Sequence, residues 1–366
     1  MKGKVFLFSS LVIASLVILP VFNVANEPYL FKGKPVKERF INLYNMDIVE
    51  AFVGAAAFKL GISTQPGKVL IGKDGWMFLG DNFVDTLTNK IQGAPSKSKE
   101  INEVHKVNDA WRTYFRESGV EDFRVIMGPD KDTVYADKLP VWDKHAADSI
   151  LGILLQGGNG IYIDTFSPIM TEKNKNAYPL YYHTDTHWNS YGAGIAFNAL
   201  AYAMKPVHPE TKWPSPIISS QFKTAEGRPG DLAAFLRIKS VREELVYLND
   251  SEINKTSIKI YDFKTGKLLS NKKLTVIGAP PTPALVVSNN ALNEDRVLWI
   301  RDSYGTAMSP FMSRTFREVL QVHPGKVTPE LLQIMVKSFK PKYVFVTSVE
   351  RDALGKFFTS PPVYNQ

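Results

Sequence analysis

Short apolar runs alternate with stretches of helical period along this chain, and that alternation narrows the folds open to it. Phe123–Met127, Ile161–Asp164, Arg296–Ile300 and Tyr343–Thr347 have the length and apolar content of buried strands. Lys97–Ser118 places Ile101, Val104, Val107, Trp111, Tyr114 and Phe115 at three- and four-residue spacing, and Gly119 suits the position just past a helix. Ser190–Met204 also reads as a helix. So does a segment reaching about Phe339, opened by Thr328 as N-cap and Pro329 in the first turn. Further helices are predicted near Leu43–Leu60, near Lys144–Gln156 and after Ser303. Lys68–Leu79 predicts two short strands around Asp74-Gly75. Strands that alternate with helices build a mostly parallel sheet covered on both faces, so the predicted fold is α/β. Residues 207–295 lack helical period and carry β-rich pieces such as Ser257–Phe263 and Leu285–Val287, which reads as an inserted β-rich segment.

The chain has 366 residues, 44% of them hydrophobic, enough for one large core or two moderate ones. Its net charge of +8 comes from 44 Lys and Arg dispersed among 36 acids. With no basic helix, zinc-finger spacing or RNA-binding aromatic motif, this excess does not point to nucleic acid. It fits attraction to anionic polymers or lipid headgroups. The absence of cysteine excludes disulfides, thiol nucleophiles and Cys-ligated metal sites.

Residues 1–26 read as a membrane or export element. Lys2 and Lys4 precede an apolar run from Val5 to about Ala25, long enough to cross a bilayer. The best cleavage position, after Ala25, has Asn23 rather than a small residue at the third position back, so an uncleaved signal anchor is expected. Lys2 and Lys4 direct the N-terminus to the cytoplasm and the remainder outside, although Lys32, Lys34, Lys37 and Arg39 on the other flank oppose that orientation. The expected organisation is an anchor over 1–26, a juxtamembrane segment and helix over 27–66, and a domain over 67–366 that includes 207–295.

Two segments carry the chemistry. In an extended His183-Thr184-Asp185-Thr186-His187, alternate side chains share one face, so His183, Asp185 and His187 can project together. Arg301-Asp302-Ser303-Tyr304-Gly305 places a serine where the strand Arg296–Ile300 ends. A hydroxyl at a strand end and an imidazole with its own carboxylate are what nucleophilic serine chemistry requires. Each segment has a plainer reading. A serine there can be a helix N-cap, two histidines around an aspartate can ligate a metal, and Lys131 with Tyr135 can be a solvated loop. Trp76 reads as core.

In combination, these segments resemble the SGNH-hydrolase-like alginate O-acetyltransferases of the AlgX and AlgJ type. The resemblance rests on Gly72-Lys73-Asp74-Gly75-Trp76-Met77-Phe78, on Pro129-Asp130-Lys131 with Val134-Tyr135, and on Tyr182 through Asn189. It extends to Gly230-Asp231-Leu232-Ala233 and to Arg301 through Gly305 with Met308 and Phe311, in family order from about residue 40 to 350. It implies a three-layer flavodoxin-like core. Ser303 is the implied nucleophile, His187 the base and Asp185 the orienting carboxylate, with no cofactor. Lys131, Tyr135, His183, Asn189, Arg301 and Tyr304 are candidates for oxyanion or substrate contacts, and the loop Gly128–Lys131 is the expected source of a second oxyanion donor. Two departures are noted: Tyr304 stands where the family pattern has Phe, and little chain follows the last strand, which suits an AlgJ-like form without a C-terminal carbohydrate-binding module.

The resemblance implies an extracytoplasmic O-acetyltransferase acting on an exopolysaccharide or other cell-envelope glycan. Its implied partner is a membrane-bound O-acyltransferase that supplies acyl groups, with the anchor in the inner membrane and the catalytic domain in the periplasm. Alternatives at this point are a carbohydrate esterase of the same fold, a metal-dependent enzyme built on His183, Asp185 and His187, and a non-catalytic glycan-binding subunit of an export complex.

Overall fold

A computed structural model describes residues 2–273 and 276–363. Twelve strands are named in chain order: β1 (Val69–Ile71), β2 (Met77–Leu79), β3 (Asp122–Gly128), β4 (Tyr162–Ile163), β5 (Phe222–Gly227), β6 (Glu243–Leu248), β7 (Ser257–Asp262), β8 (Leu268–Lys273), β9 (Ala284–Asn289), β10 (Asn293–Arg301), β11 (Phe316–Val322) and β12 (Tyr343–Val349). Eight of them form one sheet in the order β4-β3-β12-β10-β11-β9-β7-β8. The first five strands of that order run parallel, and β9, β7 and β8 extend the sheet antiparallel. The β-rich segment therefore divides. Part of it lengthens the main sheet, and part forms the separate β5–β6 hairpin.

Both faces of the sheet are buried, as the apolar runs require. Along β10, Val297 and Trp299 enter the core under the helices Ser190–Met204 and Gly305–Thr315. Leu298 and Ile300 point to the opposite core, shared with Ser98–Glu117 and Pro329–Phe339. β12 repeats the alternation, with Phe345 on the first side and Val344 and Val346 on the other. The result is the expected three-layer α/β arrangement. Asp74 (φ 55) and Gly75 (φ 76) make the turn between β1 and β2 as predicted.

Several element boundaries differ from expectation for local reasons. The helix expected near Lys144 starts at Ile150, because the Ser149 side chain accepts the Gly152 N–H and caps it there. The helix expected over Leu43–Leu60 is two, Val36–Leu43 and Asp47–Lys59, since the Asn45 side chain accepts the Asp47 N–H and restarts the second. Thr86–Gln92 and Phe166–Lys175 are additional helices.

The central strands carry the load of this architecture. Leu298 is fully buried on β10, and its truncation leaves a void that the two flanking strands cannot close. Leu298→Ala is expected to cost about 2–5 kcal/mol, read as a lower urea midpoint at unchanged slope.

Candidate active site

β10 delivers Ser303 past its carboxyl end, where Asp302 fixes the turn. The Asp302 N–H donates to the Thr347 carbonyl (3.1 Å), and its buried carboxylate accepts the N–H groups of Tyr304 and Val349, both at 2.8 Å. Burial pushes that carboxyl above the usual aspartate range, with the two N–H donors opposing. Gly305 is required because a Cβ there would sit 2.3 Å from Arg301 Cδ and 2.9 Å from the Trp299 ring. The exposed Ser303 thus stands in the turn just ahead of the helix Gly305–Thr315, whose N-cap position is Tyr304.

Opposite it, Tyr181 and Trp188 form an isolated antiparallel bridge, and the residues between them bend rather than extend. The expectation that His183, Asp185 and His187 share one strand face is therefore corrected. Period-two alternation needs a ladder partner, and this loop has none. It is shaped by two buried charges instead. Lys131 Nζ donates to the carbonyls of Tyr182 (3.0 Å), His183 (3.1 Å) and Asp185 (2.6 Å). Glu243 accepts the N–H groups of His183 (2.9 Å) and Thr184 (2.7 Å) and the Thr184 hydroxyl. The His183 ring turns away to lie 4.2 Å from Trp76, with Nδ1 3.6 Å from Glu243.

His187 faces Ser303. Its Nδ1–H donates to Asp185 Oδ1 (2.6 Å), since that oxygen can only accept, and Nε2 is left to receive the Ser303 hydroxyl at 2.8 Å. The two segments are also tied directly. Trp188 Nε1 donates to the Tyr304 carbonyl (2.9 Å), and the Tyr304 hydroxyl donates to the Thr186 carbonyl (3.0 Å). Burial works against a charged His187, but the hydrogen bond and charge of Asp185, with Asp231 adding, carry it above the ordinary imidazole range. Burial of Asp185 is likewise outweighed by its bonds to His187, which hold it below the carboxylate range.

Asp231 and Glu243 are functional neighbours that sequence reasoning passed over. Asp231 accepts the Thr186 N–H (2.8 Å) and hydroxyl (2.7 Å), and its own N–H donates to Asp185 Oδ2 at 3.1 Å. Its place within Gly230-Asp231-Leu232-Ala233 was visible; nothing in the sequence flagged Glu243. Tyr182, Ser190, Val276, Thr306 and Ala307 join the three residues in lining an open pocket of about 250 Å³.

The remaining candidates shape the site from behind. Lys131 is buried, and desolvation draws its ammonium down to about 8 against the pull of Asp185, Glu243 and Asp231. Tyr135 is buried too, its ring 4.1 Å from Trp76 and its hydroxyl accepting the Leu180 N–H. The solvated-loop reading of both is thus overturned. Asn189 caps the helix Ser190–Met204 through Tyr191 and Gly192. Arg301 is fully buried, donating to Gln321 and to the carbonyls of Ile277 and Gly278. Tyr304 is buried under the His187 ring. In the loop Gly128–Lys131, expected to supply a second oxyanion donor, Pro129 has no N–H. The Asp130 N–H already donates to Glu350, and Gly128 lies beneath the rings of Tyr304 and Trp188.

Among the described residues, two groups of ligand-type atoms converge: Asp185, His187 and Asp231, and Glu121, His208 and Glu210. The trio His183, Asp185 and His187 is not one of them. In the first group Asp185 and His187 bond each other and Asp231 holds Thr186; in the second, Lys342 Nζ lies 3.1 Å from Glu210.

Comparison with known proteins places the family and the fold. Residues 69–279 match the family model described as the SGNH hydrolase-like domain of the acetyltransferase AlgX. Over 229 residues the chain is 26% identical to the probable alginate O-acetylase AlgJ of Pseudomonas syringae pv. tomato, covering 61% of this chain and 52% of that protein. The match thus spans about half the length of this relative. The structure of Bacillus cereus PatB1 superposes with a TM-score of 0.57 at 18% identity, covering 79% of this chain and 98% of that one. A DHHW family protein from Eubacterium siraeum gives 0.57 at 18% identity, covering 83% and 98%. Both show the fold.

One contact predicts how tightly the pair is set. A Cβ on Gly230 would lie 2.3 Å from Asp185 Cβ and 2.8 Å from its Cα, too close for either backbone to stay. Gly230→Ala should remain folded, because its φ of −83° suits any residue, yet displace Asp185 and lower turnover by about 10²-fold. Near-wild-type turnover, with unchanged far-UV circular dichroism, would contradict this placement.

Proposed function

Because this chain belongs to the SGNH hydrolase-like AlgX and AlgJ acetyltransferase family, we propose that it is an extracytoplasmic O-acetyltransferase acting on an exopolysaccharide or other cell-envelope glycan. The observation that carries the reading is the Ser303–His187–Asp185 relay, with 2.8 Å and 2.6 Å links, at the edge of an open pocket. The family match ends at residue 279, so the part played by Ser303 is argued from this geometry. The relative named alginate O-acetylase supports a polysaccharide acceptor.

In this mechanism Ser303 Oγ adds to the carbonyl carbon of an acetyl ester donor as its proton passes to His187 Nε2. The tetrahedral intermediate collapses, the donor oxygen leaves with that proton, and acetyl-Ser303 remains. A sugar hydroxyl then gives its proton to His187 and attacks the acetyl group, and Ser303 departs reprotonated. Asp185 holds the imidazole tautomer and stabilises the imidazolium. The developing oxyanion falls beside the first turn of the helix Gly305–Thr315, whose positive end opposes it.

The helix Lys2–Asn26 contains a 19-residue apolar span, Phe8–Asn26, that is 6% buried. It supports an anchor in the inner membrane with the catalytic domain in the periplasm. There a membrane-bound O-acyltransferase would supply the acyl group.

Ser303→Ala should abolish transfer with little change in stability, because Ser303 is exposed and no side chain caps the helix that follows it. A mass increment on Ser303 after reaction with an acetyl-ester surrogate is the positive result; acetylation elsewhere with full activity in the variant would refute the assignment.

His187 must be neutral to act as base, and its folded pKa is raised, so kcat/KM should fall with decreasing pH through a value above the ordinary imidazole pKa of about 6.5. Asp185→Asn removes the charge that raises it. The acid limb should then move to lower pH while the plateau drops by about 10³–10⁴-fold. A limb that stays in place in the variant would separate Asp185 from the titrating group.

A further inference from the structure

We infer that residues 28–62 form a collar that lies on the bilayer surface and sets the catalytic domain against it; this rests on the reading of Phe8–Asn26 as a membrane span. The helix Asp47–Lys59 is apolar nearly all round, a pattern ordinarily found in the interior of a protein, yet Gly54 is its only buried residue. The helix Val36–Leu43 buries none. Tyr29, Val36, Phe40, Phe52, Leu60 and Ile62 are all more than half exposed, and Val36 reaches 80%. Scattered apolar side chains are normal on a surface, but a continuous run over consecutive elements is not.

Three observations identify what covers it. First, the face continues from the apolar helix. Asn23, fully buried near the end of the span, donates through Nδ2 to the carbonyls of Leu43 and Asn45, both at 2.9 Å, and of Asn42 at 3.3 Å. This seats the end of Val36–Leu43 where the span leaves the bilayer. Second, the segment is too short to cross again, since 8 and 13 residues fall below the roughly 20 needed. An apolar stretch of about 10–14 residues belongs in a core or at the membrane interface, and this helix is not in the core. Third, Lys32, Lys34, Lys37, Arg39 and Lys59 are interspersed with these apolar residues and outnumber Glu38, Asp47 and Glu50, an excess of positive charge that favours anionic headgroups.

The other side of the collar is fastened to the domain. Gly54 lies against the Leu236 carbonyl so closely that a Cβ would stand 2.4 Å from its oxygen. Arg237 pairs with Asp47 (2.5 Å) and with Glu50, and Gln65 Nε2 donates to the Phe235 carbonyl at 2.9 Å. Leu236 and Arg237 directly follow the short helix Asp231–Phe235. That helix begins with the N–H that donates to Asp185 and continues with two N–H groups on the Thr184 carbonyl. The collar therefore connects the bilayer surface to the loop that carries the imidazole–carboxylate pair, through one short helix.

The chain has no cysteine, so single cysteines can be introduced without background. Full-length Val17→Cys, Phe40→Cys, Phe52→Cys and Tyr202→Cys variants would each carry an environment-sensitive fluorophore. They would be reconstituted singly into vesicles of phosphatidylcholine with phosphatidylglycerol, with nitroxide lipids as depth-resolved quenchers. Labels at 40 and 52 should be blue-shifted and quenched at least threefold more by shallow nitroxides than the label at 202. The label at 17 should be quenched most by deep nitroxides. A quenched label at 17 with water-like labels at 40 and 52 overturns the collar alone and assigns this face to a protein partner. A water-like label at 17 overturns the anchor and the collar together.

Discussion

A single ammonium group organises the loop that carries Asp185 and His187. Lys131 spends all three of its donors on the carbonyls of Tyr182, His183 and Asp185, and the side chain is buried. Removing a charge from water costs several kcal/mol per ion, and the cost is offset only when every hydrogen bond is made and an opposite charge lies near. Asp185, Glu243 and Asp231 supply that charge. Glu243 takes the neighbouring amides of the same loop, so Tyr182–Asp185 is held through its carbonyls by a cation and through its N–H groups by an anion. An irregular segment is thereby fixed on both sides, and His187 is held facing Ser303.

Lys131 is itself positioned by a second ionic network on the preceding residue. Asp130 accepts from Lys90 at 3.1 Å and pairs with Arg351 at 2.5 Å, while Glu350 accepts the Asp130 N–H and the Thr133 hydroxyl. Glu350 and Arg351 directly follow β12, the strand whose end also receives Asp302. Arg351 lies 5.8 Å from the centre of the Tyr304 ring, and Tyr304 reaches the Thr186 carbonyl. Ser303 and His187 are thus referenced to one strand end.

What could be read from the sequence follows from the range of the interactions involved. The strands Phe123–Met127 and Tyr343–Thr347, and the amphipathic helix after Lys97, express local period and burial, and they appear where expected. The motif segments singled out the three residues that the structure brings together. The shared face of His183, Asp185 and His187 failed because period two applies to strands in a ladder, and this loop is bent around Lys131. Arg301 and Asn189 have the side chains of binding residues but satisfy buried carbonyls and a helix cap. Glu243 acts on residues 59 and 60 positions away. No local pattern encodes such a contact, so it became visible only in the folded chain.

The order of strands has a consequence for how the molecule is made. β10 and β12 lie in the middle of the sheet but near the end of the chain. Until they emerge, β3 and β4 have no connection to β9, β7 and β8, and the edge of β3 that β12 will take is open. Pairings of such long sequence separation form slowly and leave aggregation-prone surfaces open meanwhile. The imidazole–carboxylate pair is built from residues translated well before Ser303. The serine is presented only after Asp302 has found Thr347 and Val349 on β12. A partly synthesised chain therefore holds the imidazole–carboxylate pair without the serine that faces it, so the site is assembled only with completion of the sheet.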